Sequence, residues 1–431
     1  METEATPPSG SSSSSAAYSR WVLLARNDQF EDEDARLSGD DKSAAACFTS
    51  AGRPIRLSLR VAAPPALSRM RVHAPEGGVR WNHPHVIAAH GDSLLIQILI
   101  RFRCRDSDYS MDHFLYSAGD GNGRSRPPSA RLLPHCYFTV HNVRRSFCDQ
   151  GASPRGSFIE DRSAPRMLDQ NVTGLLGRRS GNDGFVVAEL QMAPSEPRKP
   201  VAELLLLRSS GKWTVKRAPI AHASDKCREL ALWKTNTVVP VGDRLLCWVD
   251  LSRGVIFSDV FEDKPGLRYV SLPSETPYNR YFNSRNVCAT AGGVVKFVNI
   301  FHTHRCGCGG VEGNRCPDSC YACIVQTWTM RMDDTVWVMD ATVDATEFWA
   351  LDAWKGVPRV QLDCPVVSIE DPMVICFVVC HARQQWMIMV DTRSKTVQAV
   401  SRGPELGDMQ YCPETAIPNV VQGILYYRHN R

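Results

Sequence analysis

The densest group of chemically active side chains in this sequence is a run of histidines and cysteines in the C-terminal half. Its members are His302, His304, Cys306, Cys308, Cys316, Cys320 and Cys323. Imidazoles and thiolates at this density could hold a zinc ion in tetrahedral coordination. However, the candidates exceed the four ligands of a zinc site, and their spacing matches no standard zinc finger. The alternative is a variable loop, rich in glycine and cysteine, that binds no metal.

The Cys320–Cys323 pair has the C-x-x-C spacing of redox-active thiols. Such pairs usually lie at the start of a helix, which lowers the pKa of the reactive thiol. The residues around this pair show no helical spacing. A redox function is therefore supported less well than zinc binding.

Motifs of known catalytic sites do not occur in the sequence. The Gly119–Gly123 run lacks the Gly-Lys-Ser/Thr ending of a phosphate-binding loop. Neither G-x-S-x-G nor H-E-x-x-H is present. The carboxylates stand mostly at expected turns, and no two of them form an evident acid–base couple. We therefore predict no catalytic residue, no cofactor-binding residue and a protein that is not an enzyme.

The elements that must position any site are clearest between Trp233 and Pro273. Short apolar runs alternate there with turns at Gly242-Asp243, Ser252–Gly254 and Asp263–Gly266. Glycine and aspartate suit tight turns because they tolerate positive φ angles. The pattern predicts about four strands in roughly 40 residues, the size of one propeller blade. A sandwich or another barrel would give the same local pattern.

The same alternation continues on both sides of this block. Further strands are predicted at residues 21–25, 185–190, 202–207, 213–216, 294–301, 324–330, 366–369, 374–380, 386–390 and 396–400. Helical spacing is confined to Lys226–Lys234 and, more weakly, Ala345–Trp354. We predict a mainly β protein, a β-propeller-like array of antiparallel sheets with few short helices and an undetermined number of blades.

Composition and charge limit the class of protein. The chain has 431 residues, of which 43% are hydrophobic, a net charge of +4 and no dense basic run. Arg101, Arg103 and Arg105 alternate as on a solvated strand face, so we expect no nucleic-acid partner. No apolar run is long enough to span a bilayer, and residues 1–18 lack the apolar core of a signal peptide. We expect an intracellular protein, cytoplasmic or nuclear, that contacts no membrane and keeps its 16 cysteines reduced.

The chain divides into an N-terminal tail and one domain. Residues 1–19 are rich in Ser and Pro and are predicted to be disordered. Residues 20–431 are predicted to form a single propeller-like β domain. Residues 144–179 are expected to form a long polar insert or surface loop, and residues 302–323 a Cys/His-rich loop.

Several motifs of aromatic, turn and apolar residues give the sequence a resemblance to a plant family. They include residues 248–251 (WVDL), 254–256 (GVI), 267–273 (LRYVSLP), 327–330 (TWTM) and 368–372 (SIEDP). The chain resembles the domain of unknown function 1618, a family abundant in grasses, most strongly over residues 247–390. Its strand pattern is also similar to the kelch-like propellers that follow F-box motifs in plants. The first 60 residues show no F-box pattern, and the resemblance transfers no catalytic residue.

Three hypotheses about function follow. The first is a non-enzymatic protein–protein interaction domain, whose loops bind an unknown protein partner. The second is a zinc-binding regulatory protein that uses the His302–Cys323 segment. The third is an enzyme with a site in the propeller channel, which a convergent cluster of buried His, Asp or Glu residues in a pocket would favour.

Overall fold

The structure is a computed structural model of the chain. It describes residues 21–26, 42–73, 80–81, 84–101, 109–119, 126–142, 156–177, 184–194, 199–222, 226–273, 284–302, 322–354, 356–381, 384–403 and 420–423. Antiparallel β-strands dominate these residues and form successive sheets, which we call blades 1 to 6.

The N-terminal half of the chain forms blades 1 to 3. Blade 1 contains β1 (Val22–Ala25), β2 (Ala45–Phe48), β3 (Pro54–Arg60), β4 (Leu67–His73) and the last strand of the described residues, β28 (Val420–Gly423). Blade 2 contains β5 (Arg80–Trp81), β6 (His85–His90), β7 (Ser93–Arg101), β8 (Tyr109–Ser117) and β9 (Ser129–Leu132), and a two-stranded ribbon follows with β10 (Phe138–Asn142) and β11 (Gly156–Glu160). Blade 3 contains β12 (Thr173–Gly177), β13 (Phe185–Met192), β14 (Val201–Arg208) and β15 (Trp213–Ala221).

The C-terminal half forms blades 4 to 6. Blade 4 contains β16 (Thr237–Val241), β17 (Leu245–Asp250), β18 (Gly254–Asp259) and β19 (Leu267–Ser271). A short parallel pairing between β15 and β19 joins blades 3 and 4 into one eight-stranded sheet. Blade 5 contains β20 (Arg285–Ala289), β21 (Val295–His302), β22 (Cys323–Arg331) and β23 (Val336–Asp344). Blade 6 contains β24 (Asp363–Val367), β25 (Val374–His381), β26 (Gln384–Asp391) and β27 (Thr396–Arg402).

Helices are few and short in the described part of the chain. The two α-helices are α1 (Cys227–Ala231), between blades 3 and 4, and α2 (Ala345–Trp349), after blade 5, where a 3-10 turn at Asp352–Trp354 follows. Both α-helices lie inside the segments whose spacing predicted helix. None of the helices in these residues is long and apolar enough to cross a membrane.

The blades are arranged around one central axis. β6, β12, β16, β20 and β24 are the inner strands of blades 2 to 6, and neighbouring inner strands in this series contact each other. β28 takes the inner position in blade 1, where it contacts β6 and pairs antiparallel with β1, from Val22↔Gly423 to Ala25↔Val420. β28 therefore completes the first sheet. The described residues form six blades, a number that the sequence left open.

Each gap between neighbouring blades contains its own hydrophobic core. β14 shows how one strand serves two of these cores. Leu204 and Leu206 pack toward blade 4, whereas Leu205 and Leu207 pack toward blade 2. Successive side chains of a strand point to opposite faces, so a sheet buried on both faces requires a continuous apolar run.

The predicted fold class is confirmed, and the Trp233–Pro273 block forms the four strands of blade 4. The predicted partners at residues 294–301 and 324–330 pair antiparallel as β21 and β22. Trp248 and Trp328 are buried between blades, as the packing interpretation of the tryptophans requires.

The segment 144–179 differs from the long insert that its composition predicts. Its described part contains β11 and β12, and β12 is the inner strand of blade 3. A glycine at each end of the Leu175-Leu176 pair hides this strand in the sequence. Gly174 is required by packing, because a Cβ atom there would lie 2.7 Å from Val238 Cγ1 in blade 4. Residues 1–19 lie outside the described residues.

Candidate functional site

A cavity of about 260 Å³ lies where inner strands of several blades end. We call it the mouth pocket. Its lining residues come from blades 2, 4, 5 and 6 and are Ala89, His90, Gly91, Pro240, Gly242, Asp243, Ala289, Thr290, Ala291, Gly292 and Ile369. Most of them belong to the hairpin turns that follow β6, β16 and β20. The pocket is therefore built by turns that the inner strands bring together.

Glycines shape these turns. Gly91 and Gly242 have φ angles of 61° and 60°, in the left-handed region that favours glycine. Gly293, with φ 78°, lies beside Gly242, and a Cβ atom on Gly293 would be 3.7 Å from the Gly242 nitrogen. The turns of blades 4 and 5 thus meet with only backbone atoms between them.

His90 joins three blades at the mouth pocket. Its Nδ1 accepts a hydrogen bond from the backbone N–H of Gly177 in blade 3, at 3.0 Å. Its Nε2 lies 2.9 Å from the carbonyl oxygen of Gly242 in blade 4. Because a carbonyl oxygen can only accept, these contacts assign the ring proton to Nε2. Both ring nitrogens are therefore engaged with backbone groups.

The opposite wall of the pocket is fixed by a contact between blades 5 and 6. The backbone N–H of Ala291 donates to the carbonyl oxygen of Ile369 at 2.9 Å. The Thr290 hydroxyl accepts from the Val294 N–H at 3.2 Å and holds the same turn. These bonds connect the turn after β20 to blade 6 at the edge of the pocket.

The mouth pocket carries little acid–base chemistry. His90 and Asp243 are its ionisable lining residues, and Asp243 is exposed. A general base needs a free lone pair within reach of its substrate, and the Nδ1 lone pair of His90 is taken by Gly177. The Nδ1 lone pair of His90 is therefore not available to a ligand in the mouth pocket.

Buried ionisable side chains do converge elsewhere, beside β8. The Asp112 carboxylate accepts hydrogen bonds from the Ser50 N–H, the Ser50 and Ser110 hydroxyls, and His135 Nε2, at 2.6 to 3.3 Å. Hydrogen-bond donors of the fold therefore occupy this buried carboxyl group. This network joins blade 1 to blade 2.

A second buried network lies between blades 2 and 3. His113 Nε2 lies 2.8 Å from Gln97 Oε1, and burial lowers the pKa of His113 to about 3, so its ring is neutral at physiological pH. Glu189 pairs with Arg166 and accepts from the Thr173 hydroxyl at 2.7 Å. None of these residues lines the mouth pocket. Convergence of buried His, Asp or Glu residues in a pocket would favour an enzyme, but these residues lie at the interfaces between blades.

The structure describes only the ends of the predicted zinc segment. His302 ends β21 and is the cross-strand partner of Cys323, which begins β22. Burial raises the pKa of the Cys323 thiol to about 12. His304, Cys306, Cys308, Cys316 and Cys320 lie outside the described residues, so zinc binding stays a prediction. Within the described ranges, no three metal-ligating side chains converge.

The sequence does not indicate that His90 bridges three blades. Its partners Gly177 and Gly242 lie 87 and 152 residues away. Both partners contribute backbone atoms, which nearly every residue type has, so the sequence does not reveal these contacts. Only the neighbouring positions of the blades bring them together.

Comparison with protein families gives one match. Residues 248–376 match the family model described as "Protein of unknown function (DUF1618)". The match begins in β17 and ends in β25, so it covers all of blade 5 and less than half of the chain. It supports the resemblance carried by the sequence motifs in this region. A search of curated proteins found no match.

Several solved structures show a weak likeness over most of the chain. Apo AztD from Citrobacter koseri is 11% identical, with 90% of this chain and 95% of that chain covered and a TM-score of 0.32. A functionally unknown protein from Desulfotomaculum acetoxidans DSM 771 is 8% identical, with 89% and 95% covered and a TM-score of 0.33. The six-bladed β-propeller lectin from Aleuria aurantia is 8% identical, with 86% and 96% covered and a TM-score of 0.27. At such scores the fold assignment rests on the strand pairing above.

Proposed function

We propose that this protein is a non-enzymatic binding protein whose mouth pocket receives one side chain of a protein partner. The volume of the pocket, about 260 Å³, carries the proposal. Pockets that enclose drug-sized ligands measure roughly 300–1,000 Å³. A smaller cavity suits a single anchoring side chain, and protein interfaces draw most of their binding energy from a few such anchors.

The fixed walls of the pocket support this function. His90 ties the turns of blades 2 and 4 together, and the Ala291–Ile369 bond ties blades 5 and 6. A site that is already ordered loses little conformational entropy when its partner binds. Ala89, Gly91 and Gly292 leave space and backbone groups for the incoming side chain.

The charge of the pocket selects the chemistry of the anchor. Asp243 contributes a carboxylate, whereas the hydrogen bonds of His90 match the neutral imidazole. Ala89, Ala289 and Ile369 give the walls apolar patches. An arginine or lysine fits this combination, because its apolar stem packs while its charged end reaches the carboxylate.

Filling the pocket tests the proposal. Ala291 is exposed, so Ala291→Trp should fill the mouth without disturbing the core. Tagged full-length protein would be used to capture partners from an extract of its source cells, with mass spectrometry as the readout. We expect Ala291→Trp to reduce capture at least about ten-fold, the loss for removing one good anchor. Ala51→Trp, at an exposed turn of blade 1, is the matched control and should capture normally.

Two outcomes would contradict the proposal. One is that no protein is reproducibly enriched, and the other is that Ala291→Trp captures the partner as well as the unchanged protein does. Asp243→Asn adds a test of the anchor, because it should weaken binding and reduce its sensitivity to salt. Elemental analysis separates the zinc alternative, which stoichiometric zinc in the purified protein would support.

The proposal extends to the cellular setting. We propose that the protein lies inside the cell, in the cytoplasm or nucleus, and has no nucleic-acid or membrane partner. The similarity to propellers that follow F-box motifs in plants enters as a likeness between binding domains, not as a ligase-adaptor function. Imaging a fluorescent fusion tests the location, and secretion of the fusion would contradict it.

A further inference from the structure

A cysteine and a histidine face each other at the start of α1. His222 Nε2 lies 3.2 Å from the Cys227 sulfur, on the connection between blades 3 and 4. The other ring nitrogen, Nδ1, lies 2.7 Å from the carbonyl oxygen of Ile220. Because that oxygen can only accept, Nδ1 carries a proton, and in the neutral ring Nε2 presents its lone pair to the thiol. A nucleophile, a base and a group that orients the base are thus aligned.

The position of Cys227 gives it access to solvent. Cys227 and His222 are both partly exposed. By contrast, Cys47, Cys247, Cys288 and Cys376 are buried in the cores between blades, and burial raises the pKa of each thiol. Reactive cysteines are accessible and have a partner that stabilises the thiolate, whereas buried structural cysteines are inert.

The segment that carries Cys227 is held against blade 4. The Glu229 carboxylate accepts hydrogen bonds from the Tyr269 hydroxyl, from Ser271 at 3.2 Å and from Lys226 Nζ at 2.9 Å. Tyr269 and Ser271 belong to β19. This attachment fixes α1 relative to the sheet, and β15, which ends at Ala221, pairs with the same strand at Ile220↔Leu267. Both members of the pair are therefore fixed to neighbouring positions on β19.

We propose that Cys227 and His222 form a site for thiol–disulfide exchange with a small-molecule disulfide. The Cys227 proton moves to His222 Nε2, and the thiolate attacks one sulfur of the disulfide. A bond forms between Cys227 and that sulfur while the original S–S bond breaks. The leaving thiolate takes the proton from His222, so the Cys227 thiol is oxidised and one half of the small molecule is reduced. The product is a mixed disulfide on Cys227.

The site is tested on the reduced full-length protein with oxidised glutathione at pH 7 without oxygen. Mass spectrometry of peptides follows the mixed disulfide at each cysteine separately over time. We expect Cys227 to react at least about ten-fold faster than the buried Cys247, because the thiolate is the attacking form and access limits the rate. Iodoacetamide, which reacts with thiolates irrespective of disulfide chemistry, should give the same order.

His222→Asn tests the contribution of the imidazole. Asparagine can still donate to the Ile220 carbonyl, but it has no basic nitrogen at the position of Nε2. We expect the rate at Cys227 to fall about ten-fold with both reagents. His141→Asn, on the exposed face of β10, is the matched control and should leave the rate unchanged.

The outcomes decide between a reactive and a structural pair. Equal rates at Cys227 and Cys247 in the unchanged protein would overturn the proposal, as would an unchanged rate in His222→Asn. Reaction with iodoacetamide but not with the disulfide would also overturn it. The comparison between cysteines uses the unchanged protein, so it stands even if the variant folds poorly.

Discussion

His90 in blade 2 and Gly242 in blade 4 are joined by a hydrogen bond of 2.9 Å between the imidazole Nε2 and the backbone carbonyl oxygen. The same ring accepts from Gly177 in blade 3, so one side chain spans three consecutive blades. Cores between neighbouring blades join them only in pairs. His90 thus connects blades that share no core, at the rim of the mouth pocket.

Replacing His90 should lower the stability of the folded protein and disturb the mouth pocket. His90→Ala removes two hydrogen bonds to the backbone, and each is worth about 0.5–1.5 kcal/mol. We expect the free energy of unfolding to fall by about 1–3 kcal/mol in urea denaturation, together with weaker partner capture. His73→Ala, at an exposed position of blade 1, should change neither quantity. An unchanged midpoint for His90→Ala would show that the bridge contributes nothing to stability.

Stability should depend on pH through Asp363. Burial raises the pKa of Asp363 to about 6 in the folded protein, above the value of about 4 expected in the unfolded chain. As pH rises from about 4 to 6, the unfolded state loses its proton first, so the free energy of unfolding falls. Below pH 4 both states are protonated and this loss is absent.

Asp363→Asn removes the titrating group and keeps an acceptor for Gln361 Nε2, which lies 2.8 Å from Asp363 Oδ1. The free energy of unfolding of the variant, relative to that of the unchanged protein, should be about 1–3 kcal/mol higher at pH 8 than at pH 4. Denaturant titrations at both pH values measure this difference. Asp263→Asn, whose side chain is 98% exposed, serves as the control. If the variant and the unchanged protein differ in stability by the same amount at both pH values, Asp363 is ruled out as the source of the pH dependence.

A methyl group at Gly254 should strain blade 4. A Cβ atom there would lie 2.6 Å from Tyr269 Cε2 and closer still to the Val270 carbonyl oxygen. Backbone atoms of a paired strand cannot move aside without breaking the ladder, so Gly254→Ala should cost about 1–3 kcal/mol. Gly266→Ala has open space around its Cβ position and should be nearly neutral. Thermal unfolding distinguishes them, and equal melting temperatures would refute the packing argument.

Breaking the Arg166–Glu189 pair should cost more than breaking an exposed ion pair. Glu189 is 1% exposed, so Arg166→Met leaves a buried carboxylate without its cation. Removing one partner of a buried pair costs about 3–5 kcal/mol. Arg162→Met breaks an exposed pair with Glu160 and should cost about 0–1 kcal/mol.

The double variant Arg166→Met/Glu189→Gln tests the cause. It should recover part of the lost free energy of unfolding, because the uncompensated charge is gone. Urea denaturation of the unchanged protein, of Arg166→Met and of the double variant measures this recovery. A double variant that is no more stable than Arg166→Met would mean that packing, rather than charge, sets the cost.

Local pattern predicted the strands well wherever a strand has its own apolar run. The β16–β19 block and the β21–β22 pair were predicted because alternating apolar residues and turn residues are read along the chain itself. β12 was missed because its glycines, which allow close packing against blade 4, also resemble a loop. The sequence likewise indicated His302–Cys323 as the chemical site, whereas the described structure directs attention to a pocket of small residues.

The sequence by itself determined that this protein is mainly β, with short strands, tight turns and few helices. These properties follow from the order of apolar and turn residues over a few positions. Only the tertiary structure decided the number of blades, the closure of blade 1 by β28, the bridge at His90 and the contact between His222 and Cys227. The first three depend on atoms far apart in the chain, many of them backbone atoms. The fourth depends on how β15 and α1 dock on β19, which no local pattern encodes.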